Sequence, residues 1–403
     1  MGKPLEGIKV IEVAMWAFVP VAGGILSDMG ATVIKVEPPT GDPIRGLRIG
    51  LTDGEPALDY SWESYNRGKR SITLDLKQEG GREVLYRLLE DADVLLTNLL
   101  PRARKAMKID AETLRARFPK LIYATGSALG QNGPDSDKGG YDAITFWARS
   151  GISSSLTDED ADVPVGPPGP AFGDSLSGSM LAGGIAAAIA KRAMTGEASS
   201  VDVSLLGAAL WSQQRSISQS IDEGIRKFKK PEKDKPNNVL VNNYKTSDGR
   251  FLALCMLQAD KYWAKLCRIA GRADLADDPR FADMNARRQN LDACVAELKG
   301  LFASKTLAEW RAILSQQDGQ WDVVQDVGEL GEDGQVQANR YIQPVKTTSG
   351  KTIQVVSVPM QFDNQALPIG TSPDLGADSD AILADLGYDE EAIINLKIEG
   401  VVF

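Results

Sequence analysis

The sequence predicts an α/β protein, with a large domain on a parallel sheet and a smaller α+β domain. Three observations carry that expectation. Short apolar strands alternate with helical segments over roughly the first 125 residues. Long glycine- and proline-rich loops then lead into a helix of small residues. A charged, proline-containing stretch at 221–243 precedes a hairpin pattern of a different kind.

Residues 8–13 (IKVIEV) form a short apolar strand, Pro20 stands where a helix would begin, and residues 32–36 (TVIKV) form a second strand ending in Glu37. That is a βαβ unit. The alternation continues with a strand at 71–76, a helix at 80–90, a strand at 94–98, a helix at 111–118 and a strand at 121–125, which makes the opening domain doubly wound and Rossmann-like. QNGPDSDKGGYD and DVPVGPPGP read as functional loops. A helix follows at about 175–191, and GEASSVDVSLL then reads as a further strand of the sheet entering another helix. The expected division is 1–220 for the first part of the large domain, 221–243 for a linker, 244–319 for the small domain and 320–403 for a segment returning to the large one. The small domain starts with the hairpin-like YKTSDGRFLALCML and continues in helices with Trp263/Leu266 and Trp310/Ile313 stripes.

Composition removes many functions. The chain has 403 residues, 43% of them hydrophobic, and a net charge of −10, which argues against a broad nucleic-acid-binding face. The count of histidines is 0, so a Ser-His-Asp triad, a Cys-His pair and a His-ligated metal are all excluded. Cys255, Cys267 and Cys294 have neither disulfide-framework nor zinc-knuckle spacing, and no metal is expected. No apolar run reaches the length of a membrane span, and the N-terminus shows no signal-peptide core, so a cytoplasmic location is expected, with no membrane or nucleic-acid partner.

Glu37, at the end of the second strand, is where a nicotinamide-dinucleotide enzyme holds a ribose. The preceding turn reads Ala14-Met15-Trp16-Ala17-Phe18-Val19, without the glycines that let backbone approach a pyrophosphate, and this argues against that reading.

Nine segments in order carry a resemblance across nearly the whole chain: PLEGIKVIEV, LSDMGATVIKVEPPTGDPIR, YNRGKRSITLDLK, ADVLLTN, GQNGPDSDKGGYD, GDSLSG, NNYKTSDGRFLAL, DDPRFADMNARRQN and TLAEWRAIL. Together they resemble the class III CoA-transferases, a family that includes formyl-CoA transferase, carnitine CoA-transferases and α-methylacyl-CoA racemase. The resemblance implies transfer of coenzyme A from an acyl-CoA to a carboxylic acid, with Asp174 of AFGDSLSG as the nucleophile. It also implies CoA contacts from Leu74, Lys77, Asn98, Leu99, Arg104 and Tyr141, a substrate-facing turn at Trp16 and Ala17, and a homodimer of interlocked rings. Lys35, Arg45, Lys69, Arg70 and Arg102 are basic neighbours in the same motifs.

A carboxylate nucleophile needs no base, which suits a chain without imidazole. Gly173 lets an acyl group approach backbone, and a helix starting at Ser175 would offer free amides to an oxyanion. GDSLSG fits a simple helix N-cap at Asp174 equally well. Two departures bear on the CoA contacts: Pro38 replaces an arginine common after VIKVE, and Ala106 replaces one expected near Met107. The racemase branch uses a histidine where this chain has Tyr141, and a phenol is a poor partner for reversible α-proton transfer. A catalytically idle CoA-binding protein is the other alternative, which the presence of Asp174 disfavours. Trp16 and Phe18 at the turn favour a bulky or apolar acyl group over formate or oxalate.

Overall fold

The computed structural model describes residues 2–47, 58–228 and 235–403. Residues 229–234 of the expected linker lie outside the described residues. Two compact units result, one from Met1–Lys227 with Gly334–Phe403 and one from Phe228–Asp333.

The first unit is built on six parallel strands: β1 (Lys9–Val13), β2 (Thr32–Glu37), β3 (Arg70–Thr73), β4 (Val94–Thr97), β5 (Ile122–Ser127) and β6 (Ser200–Ser204), in the spatial order β3-β2-β1-β4-β5-β6. Central strands buried on both faces read as continuous apolar runs, and VLLT of β4 is buried at every position. Alternate side chains serve opposite faces. Val10, Val33, Leu96 and Ile122 enter the core beneath α1 (Phe18–Asp28), whereas Ile11, Ile34, Leu95 and Tyr123 join α2 (Glu79–Leu89) on the other side. The direction of chain travel reverses between β1 and β4, and such a switch point opens a crevice at the C-terminal strand ends.

The helix of small residues, α3 (Phe172–Thr195), packs along α1. Their close approach depends on Gly178, where a Cβ would lie 2.7 Å from the Phe18 carbonyl oxygen. The C-terminal segment closes the opposite face through Ile382, Leu383, Val401 and Val402, and Val402 forms a bridge with Leu74.

The second unit carries a three-stranded antiparallel sheet of Val241–Lys245, Phe251–Cys255 and Trp321–Val323. The helices Ala259–Ile269, Leu291–Phe302 and Leu307–Leu314 pack around Trp263, Phe302 and Trp310. Two boundaries differ from the sequence reading. The expected linker includes the end of a helix, Gln214–Glu223, and the start of the first strand of this sheet. Residues 320–333 belong to the second unit because Trp321–Val323 pairs with Phe251–Cys255, so the chain re-enters the first unit at Gly334.

Candidate active site

A cleft of about 480 Å³ opens at the switch point of the large sheet, and Trp16, Phe18, Asn98, Arg104, Tyr141 and Asp174 are among the residues on its walls. A smaller hollow of about 100 Å³ lies over the ends of β1 to β3, lined by Leu74, Lys77, Pro38 and Met107 among others. Met15 and Leu99 line both.

Asp174 is half-buried in the first turn of α3, at the cleft surface. It is not the N-cap. Ala171 holds that position with a left-handed φ of 55°, and the helix begins three residues earlier than the sequence suggests. As a result the Ser175 amide is spent on the Ala171 carbonyl at 2.9 Å and is not free for an oxyanion. The Gly173 amide donates to Asp142 Oδ2 at 2.9 Å. No side chain larger than hydrogen fits at 173, where a Cβ would come within 2.2 Å of Phe146 and 2.5 Å of Asp142 Oδ1.

Asp142 closes the GQNGPDSDKGGYD segment, in which the sequence reading assigned a role to Tyr141 alone. It is 7% exposed, and its Oδ1 has no hydrogen-bond partner among the described residues. Burial raises its carboxyl above the ordinary range, and the amides of Gly173 and Asp174 hold that rise back. Burial, with the Asp142 charge alongside, pushes Asp174 up to about 7. Burial disfavours the charged form of both carboxyls, and the Asp142 charge adds to the rise at Asp174. The only sequence cue to Asp142 is its place beside Tyr141 in the GGYD loop.

The turn between β1 and α1 carries Trp16 into the cleft, edge-on to Tyr141 with ring centroids 5.5 Å apart. Trp16 itself has φ 69°, an uncommon conformation for a bulky residue. Ala17, expected beside it on the substrate side, is instead buried with Ile44 and Trp62 behind the turn, because the left-handed step at Trp16 turns the chain directly into α1. Asn98 accepts from the Met15 amide at 3.1 Å and donates to the Met15 carbonyl at 2.6 Å, so its amide group holds the turn as well as lining the cleft.

Arg104 is 6% exposed, donates to Gln131 Oε1 at 3.0 Å and to the Tyr123 hydroxyl at 3.4 Å, and has a buried Nε without a partner among the described residues. Among the described residues, no carboxylate forms an ion pair with it. Together with Arg102 and Lys138 it makes the cleft cationic in a chain of net charge −10. Lys77 is exposed at the rim of the smaller hollow, while Leu74, 1% exposed, contributes from a core position.

Lys35 and Lys69 are not surface charges. Lys35 pairs with Glu12 at 3.0 Å and with Asp42 at 2.9 Å, and Lys69 with Glu12 at 2.8 Å, all four side chains being fully buried or nearly so. Burial brings Lys69 down to about 8 despite the Glu12 charge. Glu37 accepts from Arg45 at 2.8 and 2.9 Å and from the Ser71 hydroxyl at 2.7 Å, which leaves it committed within the fold. That removes the ribose-gripping role considered from sequence.

Residues 5–379 match the model of CoA-transferase family III. The chain is 32% identical over 402 residues to (R)-2-hydroxy-4-methylpentanoate CoA-transferase of Clostridioides difficile, covering 99% of both chains. It is 33% identical over 399 residues to cinnamoyl-CoA:phenyllactate CoA-transferase of Clostridium sporogenes, covering 97% of this chain and 95% of the relative. The crystal structure of a CAIB/BAIF family protein from Brucella suis superimposes with a TM-score of 0.82 at 30% identity, covering 96% of this chain and 100% of that one. The chain belongs to CoA-transferase family III.

Proposed function

We propose that the protein moves coenzyme A between two carboxylic acids through a thioester on Asp174. The observation that carries this reading is the half-buried Asp174 carboxylate at the wall of a cationic cleft, beside Asp142 and within the family's motif order. In the first half-reaction the ionised Asp174 attacks the thioester carbonyl of the donor, forming a mixed anhydride and expelling the CoA thiolate. The thiolate then attacks the aspartyl carbonyl, and the donor acid leaves as its carboxylate. In the second half the acceptor carboxylate attacks the aspartyl thioester and expels the thiolate, giving a second mixed anhydride; the thiolate then attacks the acceptor's acyl carbon, and Asp174 leaves as its carboxylate. No base or metal takes part in these steps.

The CoA moiety extends from the main cleft into the smaller hollow, past Met15 and Leu99, which line both. Arg104 and Arg102 are suited to the phosphates, and Leu74, Lys77 and Asn98 to the remainder of the nucleotide end. The acyl group lies against Trp16, Phe18, Tyr141 and Ile144, an apolar and largely aromatic surface. Two of the relatives act, by their names, on 2-hydroxy acids with a branched or an aromatic side chain. A bulky apolar acid, saturated, unsaturated or 2-hydroxylated, is therefore the substrate class for this chain. The family resemblance further supports an interlocked homodimer.

Replacing Asp174 by alanine tests the chemistry. Exchange between an aromatic or branched acyl-CoA and its partner acids should fall on the order of 10³-fold or more while CoA binding persists. Near-normal turnover in that variant would remove Asp174 from the mechanism.

A further inference from the structure

The backbone that carries Trp16 into the cleft is gripped at three successive residues by side chains from other strands and loops. Lys35 Nζ donates to the Ala14 carbonyl at 2.9 Å. Asn98 takes both the amide and the carbonyl of Met15. The Trp16 amide donates to Asp42 Oδ1 at 3.0 Å. Trp16 needs such support, since a bulky side chain with φ 69° holds its conformation only where its surroundings impose it.

Asp42 is placed to impose it. It is 2% exposed, its Oδ2 lies 2.9 Å from Lys35 Nζ, its amide donates to Glu37 Oε2 at 3.0 Å, and the Oδ1 that receives Trp16 also receives the Ile44 amide at 3.1 Å. A buried ion pair contributes little net stability compared with apolar residues of the same volume. What a carboxylate adds here is geometry: one oxygen is anchored by Lys35 while the other fixes an amide in the wall of the cleft.

We propose that Asp42, anchored by Lys35, is a positioning residue that sets the Trp16 indole in the acyl-bearing part of the cleft and thereby acts on which acids are accepted. This rests on the reading that Trp16 lines the acyl site.

The test compares Asp42→Asn with Asp42→Ala, using Trp16→Ala as reference. Both Asp42 variants remove the charge facing Lys35, and only asparagine keeps an oxygen for the Trp16 amide. The readout is the ratio of kcat/KM for an aromatic acceptor, 3-phenylpropanoate, to that for a straight-chain one, butanoate, with one acyl-CoA donor. Such a ratio is independent of how much of each preparation is folded. Trp16→Ala and Asp42→Ala are expected to move the ratio in the same direction by about tenfold, with Asp42→Asn in between, because its amide oxygen can still receive Trp16 while its NH2 faces the Lys35 ammonium. An unchanged ratio in Asp42→Ala, with a shifted one in Trp16→Ala, overturns the role of Asp42 alone. An unchanged ratio in Trp16→Ala overturns the acyl-site reading and the selectivity role with it. Should neither Asp42 variant fold, hydrogen exchange on the wild-type enzyme decides: a Trp16 amide as protected as those of β1 supports the clamp, and exchange at the rate of an open turn overturns it.

Discussion

The Asp142 carboxylate accepts the Gly173 amide at 2.9 Å and so places a second buried acid beside Asp174 in the opening turn of α3. Its consequences can be measured through pH, through packing and through the covalent intermediate.

Only ionised Asp174 attacks a thioester, and burial together with Asp142 moves its titration to about 7. The chemical step should therefore accelerate as pH rises through about 7 and level off above it. Asp142→Asn keeps an acceptor for Gly173 but removes the like charge, so the midpoint should move to lower pH. Single-turnover rates against pH for the two proteins check both statements, and a flat profile in the wild type would contradict the first.

The same shift affects stability. A carboxyl whose pKa is 3.8 when unfolded and about 7 when folded binds its proton more tightly in the native state, so its contribution to stability falls as pH rises through that window. Asp174→Asn has no charge to bury. Its denaturation midpoint should exceed that of the wild type at pH 8, with the difference shrinking towards pH 4; a difference independent of pH would mean that Asp174 is well solvated.

Gly173→Ala should impair both folding and turnover, because its Cβ would fall 2.2 Å from the Phe146 ring and 2.5 Å from Asp142 Oδ1. Overpacking of this kind costs about 1–3 kcal/mol, measurable by denaturant unfolding. A variant with wild-type stability and activity would show that the Asp142 loop moves away at no cost.

Trp16 is half-buried, whereas Trp310 is wholly enclosed beside Phe302. Trp310→Ala should lower stability by about 3–5 kcal/mol, as for a core aromatic. Trp16→Ala should lose much less and change acceptor preference instead. Thermal unfolding and acceptor profiles of the two variants separate these roles, and a Trp310-like loss with unchanged preference would assign Trp16 to the core.

Much of this was legible in the sequence because apolar runs such as IKVIEV and ADVLLTN have only one comfortable place, in the middle of a parallel sheet. The ordered motifs led to Asp174, Trp16, Tyr141, Asn98 and Arg104, which line one cleft. The start of α3 was misread because GDSLSG satisfies capping chemistry, while the actual cap, Ala171, carries no side-chain donor or acceptor to announce it. The burial of Ala17 with Ile44 and Trp62 was not legible, since the left-handed step at Trp16 has no local sequence mark. The places of Asp142, Asp42 and Lys35 depend on pairings between residues far apart in the chain, Asp142 with Gly173, Asp42 with Trp16 and Lys35 with Glu12, and periodicity carries no information about those.

Covalent attachment of CoA to Asp174 can be trapped chemically. Enzyme given an aromatic or branched acyl-CoA donor without an acceptor should accumulate the aspartyl thioester, which hydroxylamine converts to a hydroxamate and borohydride to an alcohol. Mass spectrometry of the digest should find a single modified peptide, the one containing Gly173-Asp174-Ser175, and no modification when the donor is omitted. A label on Asp142, Glu12 or Glu37 with Asp174 untouched would contradict the account even if CoA transfer itself were intact.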